Sequence, residues 1–367
     1  MKLIKLLFKV FFLIGLVSLL ISYLAPFIHP GTIKIVPLFG LAYPIILISN
    51  LVLLVCLFFF FKKGFYILLI TLLLGFNFYK KFYSFKSEKN VQIENSFKLL
   101  SYNVRLFDVY KVGFFKDFRN RDSIFSYLKS ESADVICFQE FYIQDKKSKI
   151  KFPTKDTLQL LLNTPYFHSR MSFNKYFKNY FGIAMFSKYP MLTKGHVDFD
   201  DTLGNTNNYC IFSDLLYKND TIRVYNVHFE SIRFQKDDYA LFNDHEITGK
   251  SKSDALNLVQ KLQKSFLKRA NQVKKVINHC KQSPYPVVIC GDFNESPMSY
   301  NYNQFYSNYI DAFLNSGSGF GITYTGKVPA GRIDYIFHSK DLESSNFLVQ
   351  KQIFSDHKAL SCNIWKK

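Results

Sequence analysis

Over the first 85 residues the hydrophobic pattern is almost unbroken. Val10–Ile28, Ile35–Phe61 and Gly64–Tyr79 carry no charged side chain, and a bilayer-spanning helix needs about 20 consecutive apolar residues. The first two runs reach that length. The third is shorter, with Phe82, Tyr83 and Phe85 extending it at the interface beyond Lys80 and Lys81. The pattern predicts a transmembrane region over 1–85 made of three helices. No small-x-small cleavage site follows "ISYLAPFIHP" and more apolar sequence comes next, so the first run reads as a retained span rather than a cleaved signal peptide.

The segment 86–96, within "KKFYSFKSEKNVQIENS", is polar and reads as a juxtamembrane linker. From Phe97 the pattern changes to short apolar runs separated by turns. "FKLLSYNV", "YFGIAMFSKYP", "TIRVYNVHFES", "GRIDYIFHS" and "ALSCNIW" read as strands, and "RDSIFSYLKSESADVICFQE" as a helix leading into a buried strand. Between Ser253 and Cys280, Leu258, Leu262, Phe266, Ala270, Val273 and Ile277 recur every three or four residues, the spacing of an amphipathic helix. That helix feeds the strand "YPVVICGDFN". Residues 97–367 are therefore expected to form one sheet-rich α/β layer domain.

Charge adds a partner class but no orientation. The net charge is +19, and residues 1–90 hold ten lysines against one acid, Glu88. The remainder is moderately basic, which suits an anionic partner or a set of solvated lysine faces. With an inside amino terminus and three crossings, five lysines fall on each side, so the positive-inside rule favours neither orientation. The first hairpin favours an inside amino terminus, and three crossings then make an integral, multi-pass protein with its large domain outside the cytoplasm. No CxxC or Cys/His spacing of a zinc site occurs among the six cysteines.

Polar residues cluster where apolar runs end. "LLSYNV" presents Asn103, "DVICFQE" Gln139 and Glu140, "RVYNVHFES" Asn226 and His228, "GRIDYIF" Asp334, and "FSDHKAL" Asp356 and His357. "VVICGDFNESP" presents Asp292 and Asn294. Side chains at i and i+2 of an extended chain share one side, so these two are expected to converge just beyond the strand end. Carboxylate and amide oxygens are the ligands Mg²⁺ prefers, and an Asp beside a His fixes the imidazole tautomer. Such an inventory suits metal-assisted attack of water on phosphorus.

In that order, "SYNVRLFD", "DVICFQE", "GIAMFSKYP", "NVHFES", "GDFNESP", "GRIDYIF" and "SDHKAL" resemble the signature blocks of the endonuclease/exonuclease/phosphatase superfamily. The blocks span Leu99 to Leu360. The resemblance implies a four-layer α/β/β/α sandwich and a hydrolase acting on phosphoester bonds, dependent on Mg²⁺ with Mn²⁺ as a substitute. It implies Glu140 as principal metal ligand, Asn103 beside it and Asp356 as an auxiliary metal contact. Asp292 resembles the acid that orients and deprotonates the attacking water, and Asn294 the amide that holds a phosphate oxygen. His357 resembles the histidine on the scissile phosphate, Asp334 the acid that orients it, and His228 a phosphate contact or proton donor to the leaving oxygen.

The substrate stays open between nucleic acid and a phospholipid or small phosphate ester. "SRMSFNKYFKNYFGIAMF" interleaves Arg170, Lys175 and Lys178 with Phe173, Tyr176, Phe177, Tyr180 and Phe181, which suits stacked bases, lipid headgroups or a packed aromatic strand. Arg332 reads equally as a phosphate contact or a structural ion pair. A non-catalytic binding module that kept the fold is the alternative to an enzyme.

Overall fold

The computed structural model describes residues 2–86, 94–111, 117–148, 151–175, 178–199, 208–232, 249–326, 328 and 330–367. Most of the linker expected over 86–96, together with Tyr176 and Phe177, lies outside these residues. The chain divides into two compact units, one of Met1–Tyr83, Ile232–Ala270 and Glu295–Gln304, the other of Ser84–Ser231, Asn271–Asn294 and Phe305–Lys367.

The first unit is built on apolar helices: α1 (Lys2–Leu24), α2 (Val36–Leu41), α3 (Tyr43–Phe60), α4 (Lys62–Leu74) and α5 (Phe76–Tyr79). Pro44 lies in the first turn of α3, where a missing N–H costs no helical hydrogen bond. Leu19, Tyr43, Leu57, Leu68 and Leu72 pack together with Met298. Two segments, Lys5–Leu24 and Tyr43–Phe60, are long and apolar enough to cross a membrane. Of the three spans expected, the last does not form one long helix: α4 has 13 residues and a turn at Gly75 separates it from α5.

In the second unit two six-stranded sheets carry the core. The first has the order β13 (Leu342–Val349), β14 (Leu360–Lys366), β2 (Phe97–Asn103), β3 (Val135–Gln144), β5 (Asn179–Ser187), β4 (Tyr166–Asn174). The second has the order β10 (Ile310–Asp311), β12 (Asp334–His338), β9 (Val287–Asp292), β8 (Asp220–His228), β7 (Tyr209–Tyr217), β6 (Met191–Val197). A two-residue ribbon pairs β1 (Ser84–Phe85) with β11 (Ser318–Gly319).

Each sheet has one parallel pair at its centre, β2–β3 and β8–β9, and is otherwise antiparallel. A parallel pair needs a long crossover, usually helical. The helix α6 (Arg119–Glu131) lies between β2 and β3 in sequence, and α8 (Gly249–Lys281) between β8 and β9. The periodicity read over Ser253–Cys280 thus corresponds to a helix of 33 residues. Shorter helices α7 (Lys155–Leu162), α9 (Tyr300–Tyr306) and α10 (Ala312–Ser316) complete the chain.

Alternation along the strands sorts the core. Leu99, Val135, Cys137, Ile183 and Met185 of the first sheet meet Ile211, Val224, Val288, Cys290 and Ile336 of the second. Their sequence neighbours Leu100, Ile136, Phe138, Ala184 and Phe186 pack instead against Ile124 and Leu128 of α6 and Leu158 and Leu162 of α7. On the far side Tyr225 Oη lies 2.7 Å from His279 Nδ1 of α8. These contacts give the α/β/β/α layering implied by the sequence blocks.

Candidate active site

The strand parity that builds the core also builds the site. Residues 99, 101 and 103 of β2, 135, 137 and 139 of β3, 224, 226 and 228 of β8, 288, 290 and 292 of β9, and 334 and 336 of β12 share the faces turned toward the opposite sheet. The apolar members fill the core. The polar ones, Asn103, Gln139, His228, Asp292 and Asp334, continue the same faces past it. Pairing holds them level: Asn103 opposite Gln139, His228 opposite Asp292, and Asp292 opposite Asp334. Buried amides tie the two sheets just below, with Gln139 Nε2 donating to Asn226 Oδ1 at 2.7 Å and Asn226 Nδ2 donating to the Phe138 and Ala184 carbonyls at 3.0 Å.

Three side chains converge on one oxygen of Asp292. Asn103 Nδ2 donates to Oδ2 at 3.0 Å, while His228 Nε2 and His357 Nε2 stand 3.6 and 3.7 Å from it. The other oxygen, Oδ1, accepts from the Asn294 N–H at 2.9 Å. The preceding residue, Gly291, has φ of 143°, and a Cβ there would lie 1.9 Å from the Val227 carbonyl oxygen, so only glycine lets the strand end here. His357 is held from behind, its Nδ1 donating to Asp334 at 3.0 Å. The backbone N–H of Asp334 donates to Thr323 Oγ1 at 3.2 Å, and the ring of Tyr324 meets the His357 ring edge-on.

Asn294 departs from the i, i+2 expectation. The strand ends at Asp292, and Asn294 has φ of 53°, so the two side chains do not share an extended face. Its Nδ2 donates to the Phe229 carbonyl at 3.1 Å. Arg332 is buried, donates to Asp311 Oδ2 at 2.7 Å and stacks on Phe313 and Tyr335, which is the ion-pair reading.

Glu140 reaches the site through a bulge. Phe138 pairs with Ala184 and Phe141 with Gly182, so β3 carries one residue more than β5 at this point. Glu140 has φ of 48°, and its Oε1 lies 4.0 Å from His228 Nε2. Strict alternation would have sent it to the outer face with Phe138; the bulge re-aims it. Asp356 lies on the segment that bears His357. Ser355 Oγ, which donates to the Asn103 carbonyl at 3.0 Å, ties that segment to the end of β2.

Burial raises the Asp292 carboxyl to about 6; Asp334 adds to the rise, while His357, His228 and Asn103 oppose it. Burial also raises Glu140, with His357 lowering it and Asp356 raising it. For His357 burial acts downward, but Asp334 and Asp292 overcome it and carry the imidazole to about 10. Burial lowers His228, against the pull of Asp292. The site thus pairs one charged with one neutral histidine around a carboxylate poised near neutrality.

A family model for the endonuclease/exonuclease/phosphatase family matches residues 100–357. The chain belongs to that family. A second model, a domain of unknown function (DUF8431), matches residues 2–82. No curated protein matches the sequence. The fold is similar to an endonuclease/exonuclease/phosphatase from Beutenbergia cavernae, at a TM-score of 0.53 and 13% identity over 74% of this chain and 72% of that one. It is also similar to the human Nocturnin catalytic domain solved with bound sulfate, at 0.50 and 17% over 74% and 94%. A family protein from Leptotrichia buccalis gives 0.48 and 20% over 72% and 98%.

Members of this family are hydrolases of phosphoester bonds and in general depend on a divalent metal. The donor set suits such an ion: Glu140, Asp292, Asp334 and Asp356 bring four carboxylates to one strand-end cluster, and hard oxygen donors favour Mg²⁺-type cations. Among the described residues one group of three possible ligands lies within 4.8 Å, namely Asp292, Asp334 and His357. His357 there already bridges the two carboxylates through its two nitrogens. Glu140 and Asp356 lie outside that group.

Arg105, which the strand-end pattern does not single out, lies inside the block "SYNVRLFD". Its Nε is 3.5 Å from Asp356 and 3.8 Å from Asp108, and it follows Asn103 in a run, Arg105 to Asp108, with φ between 46° and 54°. Four consecutive non-glycine residues in the left-handed region are costly to hold. No glycine or proline in the sequence marks that turn.

Proposed function

We propose that this protein is a membrane-anchored, Mg²⁺-dependent phosphoesterase that hydrolyses a phosphodiester or phosphomonoester by in-line attack of water. The convergence of Asn103, His228 and His357 on Asp292 Oδ2 carries this reading. Asn103 orients the carboxylate, leaving Asp292 to take a proton from water. Protonated His357, fixed by Asp334, presents a charged donor for a phosphoryl oxygen. His228, whose Nε2 has no hydrogen-bond partner in the structure and lies 3.6 Å from Asp292 Oδ2, would accept from Asp292 the proton taken from water and pass it to the leaving oxygen. Glu140, with Asp356 and Asn103, would hold the metal, which supplies Lewis-acid polarisation of the phosphoryl group and neutralises developing charge. Asn294 serves the site through its N–H on Asp292, and the Nδ2 hydrogen not given to the Phe229 carbonyl is its donor for a phosphate oxygen.

The catalytic part is assigned to 97–367 and the anchor to 1–85. In the two helices of spanning length, 11% and 17% of the apolar windows are buried. Ile14, Ile45 and Phe59 are among the large side chains left exposed. Their exposed apolar faces support an apolar surrounding. The raised Asp292 carboxyl beside the raised His357 imidazole, 3.7 Å apart, favours an enzyme over a binding module.

Hydrolysis by the full chain in detergent, with and without Mg²⁺, on plasmid DNA, RNA, sphingomyelin and inositol phosphates tests the reading. Metal-dependent cleavage of one class is the expected result. Folded protein silent on all four would favour the binding module.

A further inference from the structure

The segment Ser318–Thr325 joins the protein surface to the site. At its inner end Tyr324 forms a bridge with His357, and the Thr325 N–H donates to the Asp356 carbonyl at 2.7 Å. At its outer end lies β11, where Phe85 pairs with Ser318 and Ser84 with Gly319. Gly319 and Gly321 have φ of 71° and 60°, a left-handed geometry that glycine adopts freely on both sides of Phe320. Phe85, Phe320 and Ile322 are 87%, 62% and 49% exposed. Phe320 and Ile322 line a cavity of about 270 Å³ together with Lys351 and Lys358.

A bilayer interface is the environment that takes this combination. Aromatic and aliphatic side chains gain by entering the headgroup boundary, and flanking lysines gain from anionic lipid. The chain supplies the continuity, because only Lys80–Tyr83 separate α5 from β1. We propose that Phe85, Phe320 and Ile322, with Lys351 and Lys358, form a surface that docks on a lipid bilayer bearing anionic headgroups. This proposal rests on the membrane-anchored reading above. It makes Thr323–Thr325 the link between the docked surface and the residues Asp356 and His357, and it favours a phosphoester presented at the headgroup layer as substrate.

The test uses the full chain reconstituted into phosphatidylcholine–phosphatidylglycerol vesicles with brominated acyl chains. The single tryptophan, Trp365, is replaced by Phe, and Phe320→Trp is compared with Leu160→Trp, a residue 85% exposed on α7. The expected result is bromine quenching at 320 stronger by roughly twofold or more than at 160, as for a side chain at the acyl boundary. Equal quenching at the two positions, in protein that floats with the vesicles, would overturn the docking surface while leaving the anchor intact. Protein that does not float would overturn the anchor, and the docking surface with it. Because the readout needs no turnover, failure of the phosphoesterase reading is seen separately.

Discussion

At the scale of single residues, Asp292 has the most demanding position. Its burial and its three neighbours set a carboxyl near 6, which is where a base working at neutral pH is best matched. Asp292→Asn keeps the shape and the Asn103 contact but removes the base, so turnover is expected to fall about 10²–10⁴-fold. Circular dichroism should show the fold retained. Activity should rise as pH climbs through about 6, when Asp292 ionises, and fall as pH passes about 10, when His357 loses its proton. A pH–rate profile checks both limbs.

His357 also links pH to stability. Its folded value lies above the ordinary 6.5, so its protonated form stabilises the fold fully below pH 6.5 and that contribution is lost as pH rises through about 10. Asp334→Asn removes the partner that raises it. Urea unfolding of the metal-free chain should therefore show a smaller decline between these pH values in Asp334→Asn than in wild type. Under the proposed metal role of Glu140, Glu140→Gln should raise the Mg²⁺ concentration needed for half-maximal activity, because the oxygen it offers loses its charge.

At the scale of elements, strand ends place the chemistry and glycine permits one of them. Gly291→Ala would drive a Cβ into the Val227 carbonyl and is expected to cost roughly 3 kcal/mol, at the upper end of typical backbone strain. Thermal denaturation measures it. The central strands were legible because β2, β3, β8 and β9 read as apolar runs with a polar terminus. Edge strands were not: β4, "YFHSRMSFN", is half-exposed along its length and shows no alternation to read. The bulge at Glu140 was also hidden, because "DVICFQEFYIQ" contains no glycine where the extra residue sits. The left-handed conformation of Asn294 turned a valid extended-chain rule onto a residue past the strand end.

The apolar helices give an element-scale test of topology. If the α4–α5 run crosses the bilayer together with α1 and α3, Lys34→Cys and Lys86→Cys lie on the same side. Two crossings put them on opposite sides. Labelling of intact vesicles with a membrane-impermeant maleimide separates the two, and labelling of both positions together is the expected result.

At the scale of the whole molecule, a basic chain with a net charge of +19 joins apolar helices to a phosphoesterase fold. The two sheets supply complementary halves of the site: Asn103 and Glu140 come from the first, His228, Asp292 and Asp334 from the second. Neither sheet alone assembles it, and the buried tie of Gln139 to Asn226 holds the two halves together. Phosphoester hydrolysis by the full chain, followed as Mg²⁺ is titrated into wild type and Asp292→Asn side by side, is the decisive experiment. Saturable Mg²⁺-dependent turnover in wild type and its loss in Asp292→Asn is the predicted outcome; turnover that ignores Mg²⁺, or that survives the substitution, would contradict water activation by Asp292 at a metal-assisted site.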